Sequence, residues 1–452
     1  MVIRNFPYSH RCRGDLMEIF KINGQQKLSG EVTLHGAKNS ALPILCASIL
    51  IKGQSIIHNC PDLSDVRATL KILEDLGCTV TRQGDTVTID ATDITASQID
   101  ESVMRTMRSS ILFLGSLISR TGCASIYLPG GCDIGTRPVD MHIKALKSLG
   151  ATITENGSSI TCCADRLTGA KIILPFASVG ATENIIIASA ISKGKTTIIN
   201  PAREPEICDL AEFLNKCGAR IYGAGETTIE IEGVERLYPC EHRIIPDRIL
   251  ASTYMSACAA TGSQIVIKDV RPTHLSPVFP VFNEMGCRLY LGHNELKVEA
   301  PKRLRRVKMI KTMPYPAFPT DSQSPVTAAL SVARGTSVIK ENIFENRFRF
   351  AAQLNRFGAD IDINEQMAVI NGVKTLHGAD VYATDLRGGA ALVIAGLVAQ
   401  GETTIHSIEH IDRGYEKFED NLKRLGADIK RMKDEKIAKE KDTEKGQQTV
   451  VQ

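Results

Sequence analysis

The chain has 452 residues, of which 43% are hydrophobic and 23% charged, with a formal net charge of +3 at pH 7. That length exceeds one ordinary core and points to two domains. A globular balance with no long basic stripe and no apolar run of spanning length excludes nucleic acid and membrane as expected partners.

In chain order, residues 1–16 ("MVIRNFPYSHRCRGDL") lack the apolar segment of a secretory signal and read as an extension, with Met17 as an alternative start. A pattern then repeats six times. A helical apolar run ends on a glycine and a β-rich segment follows: "KGQSIIHN", "TGCASIYLP", "KGKTTIIN", "TGSQIVIKD", "RGTSVIKEN" and "QGETTIHSI". Gly53, Gly122, Gly194, Gly262, Gly335 and Gly401 mark it, spaced by 69, 72, 68, 73 and 66 residues. A second series, Gly77, Gly150, Gly218, Gly286, Gly358 and Gly426, runs in step and falls where a helix gives way to a strand.

Each unit therefore predicts an apolar helix, a strand, an amphipathic helix and further strands. The first helices, such as "TENIIIASAIS" and "AALVIAGLVA", are apolar all round and so buried on every side. The expected fold is α+β, inverse and barrel-like: two closed domains of three βαβαββ-type units, with helices inside and sheets outside. From 431 to 452 the chain is charged and poor in apolar residues, and a solvated, disordered tail is expected.

One unit departs from the pattern. The gap between the two glycine series is 24, 24, 24, 23 and 25 residues in units one, three, four, five and six, but 28 in unit two. The surplus falls in "LPGGCDIGTRPVD", which carries Cys132. It is either a neutral surface insertion or a functional loop at a helix entrance, where positive charge lowers a thiol pKa and Asp133 opposes it. Thirteen cysteines without C-x-x-C pairs fit neither a disulfide framework nor a zinc site, so a reducing cytoplasm is the expected setting. "KGKTT" at 193–197 lacks the upstream glycine of a phosphate-binding loop and reads as an ordinary turn.

Basic residues recur at the ends of elements. Lys38 and Asn39 precede the first apolar helix, and Arg108 and Arg387 take the matching place in units two and six. Arg347 and Arg413 begin the amphipathic helices of units five and six. Converging in a cleft, they suit phosphate or carboxylate. Asp321 in "PAFPTD" is the candidate base, or else a helix cap, and Asp247 in the matching place of unit four reads as a cap.

Eight motifs in order carry a family resemblance: "GAKNSALPIL", "LPGGCDIGTRPVDMHI", "SVGATEN", "AREPEI", "PAFPTD", "FENRF", "ATDLR" and "HIDRGYE". From about Met17 to Asp428 the chain resembles the enolpyruvyl transferases, in the branch that serves peptidoglycan synthesis and hence cell-wall growth, shape and division. The resemblance implies one domain over 38–245 and a second, discontinuous one from 1–37 and 246–430. It implies a transferase that moves the enolpyruvyl group of phosphoenolpyruvate to the 3′-hydroxyl of UDP-N-acetylglucosamine, without a cofactor or a required metal. Cys132 then serves proton donation to phosphoenolpyruvate and product release, in shares the sequence leaves open, and is the residue fosfomycin alkylates; Asp321 is the base near the 3′-hydroxyl. Lys38, Arg108, Arg137 and Arg413 bind phosphoenolpyruvate, Arg387 holds its carboxylate side, and Asn39 contacts the sugar. Arg137, Pro138, Val139, Asp140 and Met141 hold the UDP moiety, with Ser178, Val179, Gly180, Asp321 and Ile343. Two departures are expected to matter: Phe176 stands where some members have a lysine toward the diphosphate, and Gly388–Gly389 loosens the turn after Arg387. The shikimate-pathway branch lacks the inserted cysteine segment. A non-catalytic sugar-nucleotide-binding paralogue is the alternative from another class. The sequence sets no oligomeric state.

Overall fold

Unit three shows how each repeat builds one sheet. The strand Lys171–Ile173 leads into the apolar helix Val179–Ser189, then the strand Lys195–Ile199, the amphipathic helix Pro205–Lys216, and the strands Arg220–Tyr222 and Thr228–Glu232. The first strand pairs parallel with the second and the last two add antiparallel. Burial alternates along Lys195–Ile199, whereas every residue from Ala181 to Ser189 is buried. Those two patterns are the periods of a sheet with one covered face and of a helix enclosed on all sides. The computed structural model describes residues 18–99, 108–127, 139–157 and 159–434, and among these the units form six sheets on this plan, that of unit two having three antiparallel strands. All twelve punctuating glycines have positive φ, from 59° to 124°, a region that side chains with a Cβ rarely enter.

The buried hydrophobic residues form two clusters. One runs from Ala37 to Ile245; the other combines Phe20–Leu34 with Leu250–Ile429. The chain exchanges strands between them. Glu31–Thr33 completes the sheet of unit four, beside Gln264–Lys268, and Glu241–Arg243 completes that of unit one, beside Gln54–His58. Glu18–Asn23 lies between Glu402–His406 and Asp428–Lys433 in unit six. The two crossings are bonded to each other: Ala37 N donates to Ile245 O at 2.7 Å and Asp247 N to His35 O at 3.0 Å.

Two expectations need correction. The chain is ordered past 431, because the strand Asp428–Lys433 buries Ile429 while its charged residues find partners. Arg431 meets Glu419 at 2.6 Å, Asp412 at 2.7 Å and Glu18 at 2.9 Å, and Asp434 meets His406 at 2.9 Å. Residues 435–452 lie outside the described set. Cys123 and Cys163, 40 residues apart, stand opposite each other on paired strands of unit two and form a disulfide. Strand register, which spacing in the sequence does not display, brings them together. No helix among the described residues is long and apolar enough to cross a membrane.

Candidate active site

Three of the buried helices put a cation in their first turn, where the macrodipole favours an anion. Lys38 opens Lys38–Ala47, Arg248 opens Arg248–Thr261, and Arg387 is second in Leu386–Val398; none has an acidic residue in its first turn. All three side chains are under a tenth exposed. Each is balanced by a carboxylate from another element: Asp65, Glu206 and Asp321 respectively. Charges buried against the dipole are costly unless paired, and their convergence marks a place prepared for anionic ligands.

Lys38 Nζ lies 2.6 Å from Asp65 Oδ2, and Arg413 Nε donates to Asp65 Oδ1 at 3.0 Å. Asp65 begins the amphipathic helix Ser64–Asp75 of the first cluster, whereas Arg413 comes from the second, so the triad spans both. Burial pushes the Asp65 carboxyl up, but Lys38 and Arg413 outweigh it and hold it below the usual range. Burial lowers the Lys38 pKa; Asp65 opposes this, while the nearby charges of Arg413 and Arg387 add to it. Asn39, beside Lys38, is half-buried.

Asp321 sits in the short 3-10 turn Thr320–Ser322 and caps no helix. Its Oδ1 accepts from Arg347 Nη2 at 2.9 Å and its Oδ2 from Arg387 Nη2 at 3.0 Å. Two guanidiniums favour the carboxylate form, and the side chain keeps a quarter of its surface exposed for a substrate to reach. Arg387 lies over the ring of Tyr415, 5.4 Å from its centroid, and its Nη1 is buried with no acceptor among the described residues. Asp385 caps the helix by accepting from Arg387 N and Gly388 N, both at 3.0 Å. The turn here is tight rather than loose. A Cβ on Gly388 would stand 2.6 Å from Asp385 Oδ2 and 2.8 Å from the Cβ of Phe350. Asp247 is the cap expected of it: Oδ1 accepts from Ile249 N at 2.8 Å and from Leu250 N at 2.9 Å. Its Oδ2 also accepts from Lys38 N at 3.3 Å.

"AREPEI" supplies a third link. Glu206 holds Arg248 through Nε at 3.0 Å, and Glu204 Oε1 accepts from Tyr315 N at 3.4 Å, both across the two clusters. Burial, reinforced by Glu206 and Glu204, pushes the Glu183 carboxyl well above its ordinary value.

On the far side, Ser178 caps Val179–Ser189, accepting from Ala181 N at 3.4 Å, and the first-turn N–H groups have no intrahelical acceptor. The helix Asp140–Ser148 is tied to it by His142 Nδ1 and Asn184 Nδ2, 3.0 Å apart. Gly180 permits the approach, since a Cβ there would meet His142 Cε1 at 3.3 Å. Val139, Asp140 and Met141 thus neighbour Ser178, Val179 and Gly180. Ile343 lines a cavity of about 370 Å³ with Phe176, Lys311, Met313, Pro314 and Lys340. Its N–H is already given to Glu341 Oε1 at 2.8 Å, so its side chain is what it offers there. Cys132, Arg137 and Pro138 lie outside the described residues, as does the side chain of Arg108, which opens the turn Arg108–Ile111.

Sequence reasoning missed Asp65, Glu206 and Tyr415. An acid at a helix start reads as an ordinary complement to the dipole, and nothing local announces that its partner is 348 residues away. Arg347 was noticed only as a helix-end cation. Among the described residues no group of three or more His, Cys, Asp or Glu is placed to hold a metal ion.

The family model described as EPSP synthase (3-phosphoshikimate 1-carboxyvinyltransferase) matches residues 22–422. UDP-N-acetylglucosamine 1-carboxyvinyltransferase 2 of Caldanaerobacter subterraneus subsp. tengcongensis is 52% identical over 413 residues, covering 91% of this chain and 99% of that one. The UDP-N-acetylglucosamine 1-carboxyvinyltransferase of Trichlorobacter lovleyi is 47% identical, covering 92% of this chain and 99% of its own. The crystal structure of the enolpyruvyl transferase NikO from Streptomyces tendae superposes with a TM-score of 0.84 at 27% identity, covering 93% of this chain and all of that one. EPSP synthase from Acinetobacter baumannii, at 20% identity and a TM-score of 0.71, shares the fold. The chain belongs to the enolpyruvyl transferases and, within them, to the UDP-N-acetylglucosamine 1-carboxyvinyltransferase family.

Proposed function

We propose that the protein transfers the enolpyruvyl group of phosphoenolpyruvate to the 3′-hydroxyl of UDP-N-acetylglucosamine, releasing phosphate, in the cytoplasmic stage of peptidoglycan synthesis. One observation carries the reading: a carboxylate, Asp321, is held by two arginines beside a field of buried cations set against their helix dipoles.

The reaction is addition followed by elimination. Carbon 3 of phosphoenolpyruvate takes a proton from Cys132 while the sugar 3′-oxygen bonds to carbon 2 and gives its proton to Asp321. A tetrahedral ketal results. Carbon 3 then returns a proton to the Cys132 thiolate, phosphate leaves carbon 2 and takes the proton held by Asp321, and the double bond is restored. Lys38 and Arg413 bind the phosphate, with Arg108 and Arg137 joining them. They are released in part from Asp65 as the substrate supplies negative charge of its own. Arg387 turns its buried Nη1 to the substrate carboxylate, and Arg347 keeps Asp321 in place. Asn39 contacts the sugar. Ser178–Gly180 and Val139–Met141 receive the nucleotide.

The active cleft lies between a domain of residues 38–245 and a second of residues 1–37 and 246–430, the latter extended to 433 by its last strand. The deciding assay is phosphate release from phosphoenolpyruvate. It should depend on UDP-N-acetylglucosamine and be abolished by fosfomycin through Cys132. Release with shikimate 3-phosphate instead would assign the chain to the other branch, and binding without turnover would make it a non-catalytic paralogue.

A further inference from the structure

We propose that Lys311 and Lys340 are the diphosphate-binding pair of the sugar-nucleotide site, and that the cavity between Phe176 and Ile343 seats the diphosphate. The assignment rests on the reading that UDP-N-acetylglucosamine is the acceptor.

The two lysines are Cα partners on neighbouring parallel strands, Ile310–Lys311 and Thr336–Lys340, so their side chains leave the sheet on the same face. Like charges placed opposite each other on a sheet are destabilising. Neither lysine forms an ion pair with any described residue. The pseudo-symmetric unit four shows what the scaffold does without such a task. There Lys268 ends the matching strand, has Thr33 as its parallel neighbour and Glu295 as its antiparallel one, and pairs with that glutamate. Unit five replaces the threonine with Lys311 and the glutamate with Met367. Some lysines on other outer strands are likewise neutralised, as Lys195 is by Glu230 and Lys21 by Glu402.

The unneutralised pair borders a cavity of about 370 Å³, a size that suits part of a nucleotide. No carboxylate lines it. The opposite wall is Phe176, 41% exposed, two residues before the cap of Val179–Ser189. Two cations therefore share a cavity with the apolar side chains of Phe176, Met313, Pro314 and Ile343. An anion held in this cavity removes the repulsion between the lysines.

The test uses the full-length enzyme and isothermal titration with UDP-N-acetylglucosamine, alongside steady-state phosphate release. Lys311→Ala and Lys340→Ala should each raise Kd and KM for the sugar nucleotide roughly ten-fold, and the double variant about 100-fold. The KM for phosphoenolpyruvate and kcat at saturation should stay within about three-fold. Lys340→Arg should keep wild-type affinity. Phe176→Lys in the double variant should recover at least part of it by restoring a cation on the facing wall. A double variant that unfolds at the wild-type temperature and binds UDP-N-acetylglucosamine as tightly as wild type overturns the proposal. If the wild type itself neither binds nor turns over UDP-N-acetylglucosamine, the acceptor assignment fails first and the lysine assignment with it.

Discussion

Lys38 and Asp65 form an ion pair of 2.6 Å with both side chains less than a tenth exposed. Asp65 also holds Arg413, so removing its charge strands two cations. Asp65→Asn should destabilise the protein by about 3–5 kcal/mol in urea unfolding. Inorganic phosphate should raise the melting temperature of this variant more than that of wild type, because an anion takes the place of the missing carboxylate. Equal shifts would show that Asp65 does not occupy the position of a ligand charge.

Lys38 sets an alkaline limit. Burial lowers its pKa below the ordinary 10.5, with Arg413 and Arg387 adding to the effect despite Asp65. In the proposed reaction its charged form binds phosphate, so kcat/KM for phosphoenolpyruvate should fall as pH rises, at a midpoint below 10.5. Lys38→Arg keeps its charge, and the limb should move upward even where kcat is reduced.

Asp321 caps no helix, and in the proposed reaction it takes the proton of the sugar hydroxyl. Asp321→Asn should lower kcat by about 10²–10⁴ in the phosphate-release assay. The Kd for UDP-N-acetylglucosamine should change far less. A parallel loss of binding would make Asp321 a substrate ligand alone.

Glu183 provides a pH test of stability. Burial raises its pKa in the folded protein well above the ordinary 4.5. Between those two values the folded state binds more protons than the unfolded chain, so its contribution to stability is fully present below pH 4.5 and declines as pH rises. Glu183→Gln removes that dependence. Urea titrations at pH 5, about 7 and about 8.5 should show the variant gaining on wild type with increasing pH.

The parts of the fold legible in the sequence are those that one residue type dictates. Twelve glycines announce twelve turns because positive φ excludes most other residues, and helices such as Val179–Ser189 announce burial because they are almost wholly apolar. Glu31–Thr33 and Glu241–Arg243 are three residues each, too short to show a period, and nothing in them says that they serve each other's neighbouring sheets. The site divides similarly. Lys38, Asp321, Arg387 and Arg413 stand inside motifs that the family resemblance marks. Asp65 lies outside those motifs and is visible only once two distant elements meet; Glu206 lies inside "AREPEI", but its partner Arg248 does not. The basic pair Lys311 and Lys340, 29 positions apart, looks like ordinary surface charge until strand register sets the two side by side.

The strand Glu18–Asn23 has consequences for synthesis as well as for architecture. Its partners, Glu402–His406 and Asp428–Lys433, are the last strands described. On a ribosome moving at about 5–20 residues per second, this early strand waits on the order of 20–80 s for its neighbours. The cluster built by Ala37–Ile245 has all its own strands long before that. The middle of the chain can thus fold first, while the opening segment carries unpaired edges until translation ends. A chaperone that binds extended apolar strands should meet "EIFKIN" on the nascent chain and lose it when the C-terminal strands emerge.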